Sequence, residues 1–102
     1  MAILTANTVT LLYTCLAGKV ATKNVRFCHT GSSAGTIRLW KGTTTPTGGT
    51  PVTGDEWVYG KALPPGTEAE TTGMFLVAGE KIYAWVSDAA VSVNVHGPER
   101  SV

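Results

Sequence analysis

Residues 81–96 alternate almost one for one between aliphatic side chains and polar or aromatic ones. Ile82, Ala84 and Val86 share one parity, with Lys81, Tyr83, Trp85 and Ser87 on the other; Val91, Val93 and Val95 then alternate with Ser92, Asn94 and His96. Successive side chains of an extended chain point to opposite faces. A period of two therefore predicts strands with one dry and one wet face, as in an antiparallel sheet. The wet face here carries a tyrosine and a tryptophan, which predicts a surface that touches another protein.

The same reading along the whole chain predicts eight short strands, near 7–15, 22–30, 35–41, 55–60, 66–71, 73–77, 80–87 and 90–97. Turn formers separate them: Gly18, the run Gly31 to Gly35, Gly54-Asp55, Pro64-Pro65-Gly66, Ala78-Gly79 and Asp88-Ala89. Many short strands with no helical period predict an all-β fold, an antiparallel β-sandwich of jelly-roll type, in a single domain over residues 1–102. Residues 1–7 read as an N-terminal arm and 98–102 as a tail leaving the sheet. The segment 41–54, with two prolines and six threonines among its glycines, reads as a long exposed loop able to reach a neighbouring subunit.

Composition narrows the function classes. Sixteen threonines and twelve glycines favour strands and turns. Eight basic residues against seven acidic ones, with no basic run, give no field to gather nucleic acid or anionic lipid. No apolar window is long enough to span a membrane, and the N-terminus lacks the layout of a signal peptide. A hairpin around Gly18 would set Cys15 opposite position 22 and Cys28 opposite position 9, so the two cysteines are expected as separate reduced thiols of a protein made in a reducing cytoplasm.

Candidate chemistry is thin. Cys15, Cys28, His29 and His96 could make a zinc set on paper, but none has a paired ligand spacing, and the adjacent Cys28 and His29 point to opposite faces of a strand. Glu68 and Glu70 share a strand face at roughly 7 Å, a separation seen in glycosidase acid pairs, although such acids come from different strands around a cleft. Ser87-Asp88 has no nucleophile turn, and Gly31 to Gly35 has neither the lysine nor the helix of a phosphate loop. The expectation is a protein without enzymatic activity, cofactor or metal. The aromatics carry more. Trp40 shares a face with Arg38 opposite Ile37 and Leu39, Trp57 with Tyr59 opposite Val58, and Tyr83 with Trp85. These five rings are candidate protein-interface residues, since Trp and Tyr anchor interfaces; a sugar-stacking platform is the second use of such a surface.

Several runs resemble a known group. L-P-P-G-T-E at 63–68, L-V-A-G-E-K-I at 76–82 and A-A-V-S-V-N-V-H-G-P-E at 89–99 are similar to the turn-and-strand patterns of small β-sandwich virion proteins of tailed bacteriophages, and V-R-F-C-H-T-G at 25–31 and T-I-R-L-W at 36–40 keep the order. His29-Thr30, where that group often has asparagine-threonine, and the threonine-rich loop depart from it. The resemblance implies a capsid decoration (cement) protein: a homo-oligomer, dimer or trimer, on the capsid surface of a virion, clamping the major capsid protein lattice. The alternatives are a carbohydrate-binding module on a tail or host-facing surface, and a tail or head–tail adaptor.

Overall fold

The computed structural model describes residues 2–43, 56–87 and 90–101; the side chains of 2, 3 and 56–61 lie outside that description. The described residues form nine strands and no helix: β1 (Ala2–Ile3), β2 (Thr10–Thr14), β3 (Lys19–His29), β4 (Gly35–Gly42), β5 (Glu56–Leu63), β6 (Glu68–Leu76), β7 (Lys81–Val86), β8 (Val91–His96) and β9 (Glu99–Ser101). They build two antiparallel sheets, a β-sandwich as the alternation predicted. One sheet runs β1-β8-β3-β6, with β9 also on β3; the other runs β2-β7-β4-β5. Most connections therefore change sheets, and β4–β5 is the pair of chain neighbours that stays side by side.

The core lies between the two inner faces. From one sheet come Val25, Phe27, Met74, Leu76, Val91 and Val93; from the other come Ile37, Leu39, Ile82, Ala84 and Val86, all within 3% of complete burial. Full burial of a side chain of this kind contributes about 1.5–3 kcal/mol, so this layer dominates the stability. It also fixes register, because a slip of one residue would turn every one of these side chains outward.

Four expectations change. The hairpin around Gly18 does not form: β2 pairs with β7 and β3 pairs with β6, β8 and β9, so the chain crosses between sheets there. Turn residues report that the chain turns and not which sheet it joins. Cys15, buried, and Cys28, half-buried, are both free thiols.

The two strands expected at 66–71 and 73–77 are one strand. Gly73 (φ +74) sits in a bulge opposite Lys23–Val25, where the register slips, and its N–H donates to the Asn24 side chain at 3.0 Å. A glycine inside a strand marks a bulge as readily as an end.

The tail does not leave the sheet. Residues 99–101 pair with Lys19–Ala21, so β8 and β9 lie in series along one edge of β3, joined at Gly97-Pro98. The N-terminal arm is likewise partly a strand, since Ala2 and Ile3 pair with Val93 and Ser92. Of the predicted 41–54 loop, Lys41 and Gly42 belong to β4, and residues 44–54 lie outside the described ones.

Candidate functional site

The two outer faces differ in character, and each gathers residues singled out from the sequence. On the outer face of the β2-β7-β4-β5 sheet, Trp40 lies opposite Tyr83 and Arg38 opposite Trp85, while Leu11 of β2 lies on the far side of Tyr83. Ile37, Leu39, Ile82, Ala84 and Val86 point the other way, so the parity read from the sequence is right. The Arg38 guanidinium stands 4.6 Å from the Trp85 ring centre, a cation–π contact that uses one face of that indole.

Exposure on this face departs from expectation. Trp40 is 1% and Tyr83 4% exposed within the single chain, whereas Leu11 is 50% exposed. As contact residues for a partner, Trp40 and Tyr83 have almost no surface to offer; alternation gives the direction of a side chain and not what packs over it. Trp85 is half-buried. The backbone of β5 places Val58 opposite Leu39, but the Trp57 and Tyr59 side chains lie outside the described residues. Among the described residues the buried Trp40 Nε1–H has no hydrogen-bond acceptor, and a buried donor ordinarily finds one.

The outer face of the other sheet is polar. Across β8, β3 and β6 it presents Ser92, Cys28 and Glu68 in one row and Asn94, Arg26 and Glu70 in the next. Arg26 donates to the Glu68 carboxylate, and that bond, followed by the carboxylate charge, raises the guanidinium further above its ordinary range. His96 Nε2 lies 3.5 Å from Glu70, an ion pair when the imidazole is protonated. A shallow depression of about 180 Å³ is lined by Arg26, Cys28, Glu68, Ser92 and Asn94. Glu68 and Glu70 thus share a face as predicted, each with a basic neighbour, on an open sheet surface. Because these groups are solvent-exposed, their pairings add little to stability.

The four residues of the paper zinc set are not brought together. His29 is buried: Gly31 N–H donates to its Nδ1 at 3.1 Å, and its Nε2 meets the Ser33 carbonyl. The first bond makes Nδ1 an acceptor, so the proton sits on Nε2 and donates to Ser33; the ring clasps the 29–33 turn. Cys15 is in the core, and Cys28 and His96 are on the polar face. Among the described residues, no group of three or more His, Cys, Asp or Glu converges.

Sequence reasoning missed Tyr13. Its hydroxyl donates to the Glu99 carboxylate, its ring faces the Lys23 ammonium at 4.5 Å, and it fastens β9 to the body. Burial, followed by the Glu99 bond, raises the phenol well above its ordinary value. A tyrosine between Leu12 and Thr14 carries no sign of this, because the partner comes from the far end of the chain. No protein-family model, curated protein or solved structure matches this chain.

Proposed function

We propose that this chain is a structural protein of a tailed-bacteriophage virion, a capsid decoration protein that sits as an oligomer on the lattice of the major capsid protein. The observation that carries the reading is the winding. We read the sheet orders β1-β8-β3-β6 and β2-β7-β4-β5 as those of a jelly roll, an eight-stranded double sheet that recurs in viral capsid and lectin domains.

The runs that resemble phage virion proteins are consistent with it. Leu63 to Glu68 forms the β5–β6 turn, with the Thr67 hydroxyl donating to Pro64 O at 2.6 Å. Leu76 to Glu80 forms the β6–β7 turn, where Val77 N–H donates to the Glu80 carboxylate at 2.9 Å. These motifs do conformational work, and the function they suggest is binding rather than chemistry.

The mechanism is mass action. A protein that binds the assembled, expanded shell more tightly than any earlier state stabilises the shell by that difference in affinity. Repetition over the lattice turns a modest contact per subunit into a large total. The chain would be made in the host cytoplasm and function on the capsid surface.

The rival reading, a sugar-binding surface, has lost part of its platform, because Trp40 and Tyr83 are buried and Arg38 covers one face of Trp85. The test is co-sedimentation of the purified protein with expanded, undecorated capsids. Saturable binding at a fixed number of copies per capsomer, with a raised capsid disruption temperature, is expected. Failure to sediment with capsids would refute the reading, and binding to a glycan array instead would replace it.

A further inference from the structure

The N-terminal arm is held by both sheets. Ala2 and Ile3 pair with Val93 and Ser92 at the edge of one sheet, Leu4 N–H donates to Val91 O at 3.0 Å, and the Leu4 side chain is 3% exposed. The arm then crosses to the other sheet. Ala6 forms a parallel bridge with Val86, and Asn7 N–H donates to Val86 O at 2.7 Å.

Three residues on, Thr10 pairs with Ala84 of the same strand, now antiparallel. The chain has therefore reversed direction along β7 between Ala6 and Thr10. Asn7 makes that reversal with φ +56, the one positive φ of a residue other than glycine among the described residues. Asparagine reaches this region more readily than most residues, but the conformation stays uncommon. Thr5, Asn7 and Thr8 are all exposed, so the hinge lies in solvent.

From this we infer that residues 2–6 exchange between copies of the chain: with the Asn7 hinge straightened, the arm of one molecule seats on β8 and Val86 of its neighbour. The seat is known because the same segment fills it within one chain. Exchange keeps the Leu4 pocket, the Leu4–Val91 bond and the pairing with Ser92 and Val93, and it relaxes the uncommon hinge. Exchange of an identical element is a low-cost route to an oligomer, and hinge loops control it. The exchange supplies the oligomer invoked in the capsid reading and rests on that reading for its purpose alone.

The register provides the test. Because Leu4 bonds with Val91, the Ala2–Val93 pair exchanges hydrogen bonds and Ile3–Ser92 is the non-bonded pair, whose Cα atoms approach to about 4.5 Å, within reach of a disulfide. Full-length protein carrying Cys28→Ser is used, since Cys28 is the cross-strand neighbour of Ser92 on the other side. One preparation adds Ile3→Cys, the other Ser92→Cys, and the two are mixed, incubated and oxidised without capsids.

The expected product is a mixed disulfide between the two variants, at least tenfold above either like-with-like product and rising with protein concentration. Asn7→Val, which disfavours the positive φ, should raise its yield several-fold, whereas Asn7→Gly should not. A mixed product no more abundant than the like-with-like products at any concentration, while a chain carrying both cysteines closes on itself, would overturn the inference. Light scattering on chains without added cysteines is the second measurement. Asn7→Val must show a larger mass than the unaltered chain at equal concentration, and equal masses would overturn it too. Neither readout uses a capsid, so failure of exchange and failure of capsid binding are separate results.

Discussion

At Gly97 the backbone leaves no room for a side chain. It joins β8 to β9 with φ +134, and a Cβ placed there would lie 2.2 Å from Thr22 O and 3.1 Å from Lys23 Cα. Both are backbone atoms of the central strand, so no side-chain rotation relieves the overlap. Gly97→Ala leaves the molecule two routes. Holding alanine in this glycine-only region costs about 1–3 kcal/mol before the overlap is counted. Releasing β9 loses the bonds Lys23 Nζ to Gly97 O, Thr22 N to Pro98 O, Lys19 Nζ to Ser101 Oγ and Tyr13 Oη to Glu99. At about 1 kcal/mol each these four come to roughly 4 kcal/mol, the backbone ladder of 99–101 on Lys19–Ala21 is lost with them, and the conformational entropy of the freed residues offsets much of the total. Both routes lead to a net loss of about 2–3 kcal/mol, which for a domain of this size lowers Tm by roughly 10–20 °C.

Urea unfolding followed by tryptophan emission measures the loss. Tyr13 separates the two routes, because its phenol is held above its ordinary value by burial and by Glu99. Release of β9 removes the Glu99 bond and its charge while the ring stays packed on the core, so in Gly97→Ala the phenol should titrate closer to its ordinary value of about 10 than in the parent. The signal is the phenolate absorbance of each protein minus that of the same protein carrying Tyr13→Phe. A Gly97→Ala protein within about 0.5 kcal/mol of the parent, with an unchanged Tyr13 titration, would refute the argument that the Gly97 backbone fixes the β8–β9 junction.

Tyr13 and the His29 clasp each give a further outcome. The folded-state pKa of Tyr13 is raised, so the native state holds this proton at a pH where the unfolded chain has lost it; its contribution is fully present below pH about 10 and declines as pH rises beyond it. Tyr13→Phe should flatten the alkaline limb of a stability–pH curve, and an unchanged limb would contradict that assignment. His29→Ala removes a buried ring and two bonds that clasp the 29–33 turn; it should cost about 2–4 kcal/mol in urea unfolding, and a loss below about 0.5 kcal/mol would show that the turn holds without the clasp.

The alternation of 81–96 gave the strands and the inward set Ile82, Ala84, Val86, Val91 and Val93 because period two is a property of each strand alone. Sheet membership is a property of pairs, and nothing local to Gly18 distinguishes a hairpin from a crossover. Gly73 reads as a breaker and acts as a bulge for the same reason, since the partner Lys23–Val25 is about fifty residues earlier in the sequence. Glu99 to Ser101 has no apolar pattern at all. What holds it is Tyr13, Lys19 and the backbone of β3, none of which a reading of the tail includes. Parity gives the described rings Trp40, Tyr83 and Trp85 the correct face, but Trp40 and Tyr83 are closed off from solvent.

Neither outer face offers a partner much binding free energy. The polar face is occupied by exposed pairs, Arg26 with Glu68 and Glu70 with His96, whose net worth in water is small and whose desolvation by a partner would be costly. On the aromatic face, Trp40 and Tyr83 are already withdrawn from solvent. Main-chain groups at the sheet edges are a different resource. Among the described residues, β1 pairs with β8 at Ser92 and Val93, with one further bond at Val91. Pairing there needs no ionic group stripped of water and no ring exposed, and it re-forms between copies a ladder the fold already makes within one chain. Edge pairing through the arm is therefore the economical way for this sandwich to hold a neighbour.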